Sequence, residues 1–343
     1  MKAVVKATRA PGLALQDIPI PEPKENELLV KVHATSLCGS DLNCYVWNEY
    51  AAKLHRKIPF VLGHEYSGEV VSAGPEVKKF HVGDRMAGET HIPCGHCLYC
   101  REGTPNICQN MELFGHTVDG SFAEFCTVPE TAARRVPDAL DWEKAALLES
   151  MGVGVRAVAD AQVRGKTVLV LGCGAIGLFA TVGAYALGAT RVYGVELIPE
   201  RAQRALNLGM CRVFHPERDD FVSQILAATG GYGVDVIVEC AGSEPLFSQS
   251  FACLRKRGQV QLLGLLKHPV TLNFIPNVIF KEATLRGFHG RAMFQTWDLC
   301  ESLLVSGRTN ILPLITHRLE LEDYETAFQL LLSGDACKII MTP

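Results

Sequence analysis

Over the first 150 residues, apolar and polar positions alternate in short runs such as ELLVKVHAT at 27–35, YSGEVVSAG at 66–74 and FAEFCTVPE at 122–130. Gly, Pro and charged residues break each run. Alternation over so few residues, rich in β-branched and aromatic side chains, predicts half-buried strands. The expectation is an irregular all-β domain over 1–150. From about Gly165 the texture changes. TVLVLG is a continuous apolar run of strand length, and an apolar helix should follow it. RVYGVE, a charged helix in PERAQRALNLG, VDVIVECAG, a helix carried through Leu254, and QVQLLGL continue the alternation. Repeated strand–helix units predict an α/β domain with a doubly wound parallel sheet over 151–287. Over 288–343, DLCESLLVSG reads as a helix and KIIMTP as a last strand, and this segment is expected to return to the first domain.

Composition narrows the class without deciding it. Apolar residues make up 48% and charged residues 20%, ordinary values for a globular chain. The formal net charge is -4 with no Lys/Arg run, so nucleic acid is not an expected partner. From Thr167 to Thr190 there is no charge, a length that can span a bilayer. GCGAIG interrupts that stretch with three glycines, so a strand, a tight turn and a buried helix explain it better than a membrane span. MKAVVKATRAPGL lacks the apolar run of a signal peptide. The 13 cysteines are odd in number and scattered, which predicts reduced thiols and a cytoplasmic protein.

Three constellations carry chemistry. In GCGAIG, Gly172, Gly174 and Gly177 follow a predicted strand and open a predicted helix, the context in which such glycines admit a pyrophosphate to a helix N-terminus. Glu196 ends the next strand, where a carboxylate accepts from both ribose hydroxyls and repels a 2′-phosphate, so the expected cofactor is NAD. Cys94, Cys97, Cys100 and Cys108, spaced C-x2-C-x2-C-x7-C, can enclose one tetrahedral ion and leave it no exchangeable position. That makes them a structural staple, for zinc or, as a competitor, an iron–sulfur cluster. Catalysis must then lie elsewhere. Cys38 in LCGSDLN, with His64 and Glu65 in VLGHEYSGEV, forms a mixed set suited to catalytic zinc, and Glu149 can add a ligand.

Together, CGSD, GHEYSGEV, GDR at 83–85, the four-cysteine lobe, GCGAIG and Glu196 resemble the zinc-dependent medium-chain dehydrogenase/reductase superfamily over essentially the whole chain. VWNEY, GETHIPCGHC, GRAMFQTW and ITHR resemble its threonine-oxidising branch. The resemblance implies a chaperonin-like irregular β domain holding two zinc ions, one catalytic and one structural, plus a Rossmann domain binding NAD. It also implies a homo-oligomer, commonly a tetramer. Cys38, His64 and Glu65 would ligate catalytic zinc, with Glu149 as an alternate ligand or relay. NAD would contact Ile176, Glu196, Arg201, Leu263, Gly264, Leu265, Phe288 and His289.

Two departures from that family stand out. Its relay usually ends in a histidine where this chain has Asn43, although Ser40 keeps a hydroxyl. An asparagine takes up no proton at neutral pH, so Ser40, His91 or another group must serve. ESMGVGV at 149–155 also differs from the threonine enzymes' usual glutamate-proline-x-glycine-asparagine-alanine-valine. The expected reaction is oxidation of L-threonine to 2-amino-3-oxobutanoate, with Arg291 at the carboxylate and His91 near the ammonium or hydroxyl. A polyol, cyclitol or amino-cyclitol dehydrogenase is the rival reading, and a non-catalytic NAD-binding protein is the rival of another class.

Overall fold

The computed structural model of the chain describes residues 1–54, 57–266 and 268–343. Two compact units emerge. The first comprises Met1–Glu149, Ala292–Val305 and Leu312–Pro343; the second comprises Ser150–Arg291 and Ser306–Ile311.

In the first unit, the strand Glu27–Ser36 buries Leu28, Val30, Val32 and Ala34, as its alternation requires. It pairs antiparallel with Glu65–Ala73 and Phe125–Pro129, and near its end with Lys338–Thr342. Arg85–Gly88, Ala133–Arg135 and Ile315–Glu320 complete the sheet. The chain's last strand is therefore stitched beside the residues that precede Cys38. One apolar cluster gathers Leu28, Val30, Tyr66, Met86 and Phe114; another gathers Val4, Leu37, Phe122, Phe328 and Ile339. A short ribbon, His91–Ile92 against Glu112–Leu113, encloses the cysteine-rich segment between its strands.

The second unit is a six-stranded parallel sheet in the spatial order Arg212–Phe214, Arg191–Val195, Thr167–Leu171, Val234–Glu239, Leu254–Leu262, Thr284–Gly287. Chain order reverses between Thr167–Leu171 and Val234–Glu239, and such a switch point leaves a crevice beyond the carboxyl ends of the strands. The uncharged stretch resolves into strand Thr167–Leu171 and the largely buried helix Ala175–Ala186. Among the described residues, no helix is long and apolar enough to cross a membrane.

Two details differ from the sequence pattern. The helix expected to run through Leu254 stops at Ser250 and tightens into a 3-10 turn over Phe251–Cys253. Leu254 is already extended, because its side chain packs in the sheet core with Phe251 and Val260. The strand Arg212–Phe214 and helix Phe221–Ala228 complete a strand–helix unit that the pattern leaves blank. Three residues are too few to display a period.

Candidate active site

Cys38 follows the strand Glu27–Ser36, His64 precedes the strand Glu65–Ala73 and Glu65 opens it; the pairing Ser36↔Glu65 brings these ends together. Gly63 has φ +93°, and a Cβ there would lie 2.2 Å from Phe122 Cδ1, so glycine is needed to deliver His64. One ligand atom each from Cys38, His64 and Glu65 lies within 4.8 Å of the others. His64 and Glu65 are buried, and Glu65 Oε1 has no hydrogen-bond partner. Sulfur, nitrogen and an unsatisfied buried carboxylate oxygen form a donor set that fits zinc, and three protein ligands leave a coordination position for water or substrate.

Around this trio lie residues that the motif reading did not single out. Asp41 Oδ1 lies 3.4 Å from His64 Nδ1, and Asp41 Oδ2 accepts the Cys38 amide at 2.9 Å. Burial opposes charge on Asp41, but His64, His116 and the Cys38 amide outweigh it and hold its pKa below the ordinary carboxylate range. Burial likewise opposes protonation of His64, yet Asp41 and the Cys38 thiolate hold its pKa well above an ordinary imidazole's. The His116 ring lies 4.8 Å, centroid to centroid, from that of His64. Lys338 Nζ donates to Glu65 Oε2 and to Leu37 O. Asp41 stood in plain view within CGSD, and a carboxylate behind a ligand histidine is a common orienting device. Lys338, 273 residues beyond Glu65, offered no such signal.

The other expected residues take varied positions. Ser40 Oγ lies 3.5 Å from His64 Nε2. Asn43 Oδ1 accepts from Asn48 Nδ2 at 2.6 Å. Glu149 accepts from Thr90 Oγ1 and is outside the Cys38–His64–Glu65 group. His91 is buried and its Nδ1 lies 2.9 Å from Glu89 Oε1. Arg291 is 1% exposed, a buried guanidinium at the end of the second unit's main segment.

Cys94, Cys97, Cys100 and Cys108 converge with their sulfurs within 4.8 Å of one another. Cys97 Sγ lies 3.5 Å from Cys100 Sγ and 3.8 Å from Cys108 Sγ. The amides of Cys94 and Asn110 each point at Cys108 Sγ from 3.3 Å. The Cys100 and Gln109 amides push the Cys97 thiol down to about 6. Backbone N–H groups aimed at sulfur favour thiolate, and four thiolates in this arrangement suit one tetrahedral zinc.

In the second unit, a cavity of about 490 Å³ opens at the switch point, lined by Gly172, Gly174, Glu196, Arg201, Cys240 and Ala241 among others. Gly172 adopts φ +87° immediately after its strand. Glu196 Oε2 accepts the Cys173 amide at 2.7 Å, and Oε1 accepts those of Leu197 and Ile198 at 2.9 Å each. The carboxylate is thus fixed at the cavity wall. Ile176 and Gly177 lie in the first turn of the adjoining helix, outside the lining. Leu263 and Gly264, whose amides donate to Glu239 O, and Leu265, which is 80% exposed, follow the strand Leu254–Leu262 and are also outside the lining. Phe288, near the Arg156 and Arg286 guanidiniums, and His289 are outside it as well.

Comparison with known proteins follows the same division. The family described as Alcohol dehydrogenase GroES-like domain matches residues 24–138, and that described as Zinc-binding dehydrogenase matches residues 175–305. The chain is 39% identical over 341 residues to the L-threonine 3-dehydrogenase of Pyrococcus abyssi, covering 99% of this chain and 98% of that protein. Galactitol-1-phosphate dehydrogenase from Escherichia coli superposes with a TM-score of 0.91 at 28% identity, covering 100% of both chains. A putative zinc-binding dehydrogenase from Sinorhizobium meliloti 1021 bound to NADP gives 0.91 at 29% identity, covering 100% of this chain and 99% of that one.

Proposed function

The chain belongs to the zinc-dependent medium-chain dehydrogenases, and from that premise we propose that it oxidises L-threonine to 2-amino-3-oxobutanoate with NAD as hydride acceptor. The observation that carries the reading is the Cys38–His64–Glu65 donor set, in a chain 39% identical throughout to a threonine dehydrogenase. When bound, zinc would polarise the alcohol oxygen and lower its pKa, and the dinucleotide would take the hydride.

The chain's own residues do the rest. Asp41 Oδ1 faces His64 Nδ1 at 3.4 Å, which leaves Nε2 for the metal side. Ser40 Oγ, 3.5 Å from His64 Nε2, receives the alcohol proton as it passes its own to water. Asn43, already engaged by Asn48, orients the relay and takes no proton. The buried Arg291 guanidinium pairs with the substrate carboxylate, and His91 receives the ammonium or the hydroxyl. Glu149, held by Thr90, is the alternate ligand or relay. The four cysteines hold a second, structural zinc. Glu196 selects NAD over NADP, because a 2′-phosphate would meet a fixed carboxylate. The protein is assigned to the cytoplasm, as a homo-oligomer.

Asn43 and the 149–155 segment favour a second reading, a polyol or cyclitol dehydrogenase with the same machinery. NAD reduction by zinc-loaded protein decides between them, with L-threonine run against diols, polyols, galactitol 1-phosphate and cyclitols. Selective turnover of threonine is expected, with NADP a poor substitute; turnover of a polyol alone transfers the assignment. Arg291→Met should raise the KM for threonine by at least ~30-fold, the loss typical of a desolvated charge pair. An unchanged KM removes Arg291 from the carboxylate.

A further inference from the structure

Three buried side chains of the first unit meet on a carboxylate that the proposed chemistry leaves unused. Glu89 is 0% exposed, His91 6% and Trp297 1%. Glu89 Oε1 faces His91 Nδ1 at 2.9 Å and accepts the His91 amide at 3.1 Å. Glu89 Oε2 accepts Trp297 Nε1–H at 2.8 Å. The backbone fixes the arrangement: the Glu89 amide donates to Ala132 O at 2.8 Å, the Phe114 amide to Thr90 O at 2.9 Å, and His91 pairs with Leu113 in the ribbon. Trp297 arrives from helix Gln295–Val305, 208 residues away in sequence.

The donor–acceptor inventory then constrains the imidazole. An indole N–H can only donate, so Oε2 accepts from Trp297. An ionised carboxylate can only accept, so His91 Nδ1 must carry its proton, and a neutral imidazole then has its lone pair on Nε2. We propose that Glu89 is a positioning residue that locks His91 in the Nδ1–H tautomer, so that Nε2 accepts from an ammonium or hydroxyl of the substrate, with Trp297 holding the carboxylate in register. This rests on the reading in which His91 faces the substrate.

Glu89→Gln tests it sharply. A glutamine has a single acceptor oxygen, for which Trp297 Nε1–H at 2.8 Å competes with the His91 amide at 3.1 Å. The shorter indole bond keeps the oxygen, so the amide NH₂ faces His91, deprives its backbone N–H of an acceptor and forces the opposite tautomer at Nδ1. Threonine kcat/KM should fall by at least ~10²-fold, the scale of a lost acid–base contribution. Removing the indole donor with Trp297→Phe in the same chain frees the glutamine oxygen to turn to His91. The double variant should therefore recover at least ~10-fold over Glu89→Gln alone, where a purely structural role gives losses that multiply.

Nitrogen-15 spectra of histidine-labelled, zinc-loaded protein, with the His91 signal assigned by His91→Gln, report the tautomer without any substrate. Wild type and the double variant should show Nδ1–H, and Glu89→Gln should show Nε2–H. Nε2–H in wild type, or an unchanged tautomer in Glu89→Gln, overturns the inference, as does an activity loss that the second substitution deepens. If wild type does not oxidise threonine, the substrate reading fails while the spectra still decide the role of Glu89.

Discussion

The ion pair between Lys338 and Glu65 is the least expected contact at the proposed zinc site. Both side chains are buried, at 2% and 0% exposure. Burial alone would push the lysine pKa down, but the Glu65 carboxylate and the Cys38 thiolate reverse that and raise it. Lys338→Met would strand a buried carboxylate, which typically costs about 3–5 kcal/mol. A divalent cation at Cys38, His64 and Glu65 supplies compensating charge. Urea denaturation of Lys338→Met should therefore show that loss in chelator-treated protein and a clearly smaller one in zinc-saturated protein. Equal penalties in the two states would mean that Glu65 does not meet the metal. The same contact marks where sequence reading stops. Cys38, His64 and Glu65 stand in short motifs whose residue types suit a metal, and Asn43 stood out as a departure from a known pattern. Lys338 and the Glu89–Trp297 pair are products of folding, with partners 273 and 208 residues apart, and nothing local to either residue announces the other.

Elements were legible in proportion to their length and their burial pattern. The strand Thr167–Leu171 and helix Ala175–Ala186 could be read because a run of buried strand residues meets a glycine turn. Arg212–Phe214 could not, being three residues whose pairing with Arg191–Val195 is decided by the sheet. Gly177 shows what the turn demands of its third glycine. A Cβ there would sit 2.0 Å from Gly172 O, so any side chain pushes the helix away from the strand it packs on. Gly177→Ala should destabilise the second unit by about 1–3 kcal/mol, as overpacking does. It should also weaken NAD binding at least ~10-fold, since the amides proposed to receive the pyrophosphate would move with the helix. Zinc stoichiometry should not change, because both groups of residues proposed to hold zinc lie in the first unit. Calorimetric titration with NAD and metal analysis of the same sample check both halves; undiminished NAD affinity would show that the turn tolerates a side chain.

For the whole molecule, the parallel sheet ends abruptly on one side. Thr284–Gly287 pairs with Leu254–Leu262, and among the described residues no strand lies beyond it. An open edge invites another chain, and proteins usually cover or charge it. Here the approach is apolar instead: Phe274, Ile275, Ile279 and Phe280 are 56%, 55%, 62% and 69% exposed. Exposed large apolar side chains in the segment that leads into an edge strand are compatible with an interface. The proposed homo-oligomer could use this edge, since a two-fold axis through it would set the same strand antiparallel to itself. Ile279→Asp combined with Phe280→Asp should therefore convert a homo-oligomer into smaller species in light scattering after size exclusion. Thermal stability of the isolated subunit should change little, because neither side chain is buried within it. A wild-type protein that runs as a monomer, or a double variant that keeps its assembly, would move the contact to another face.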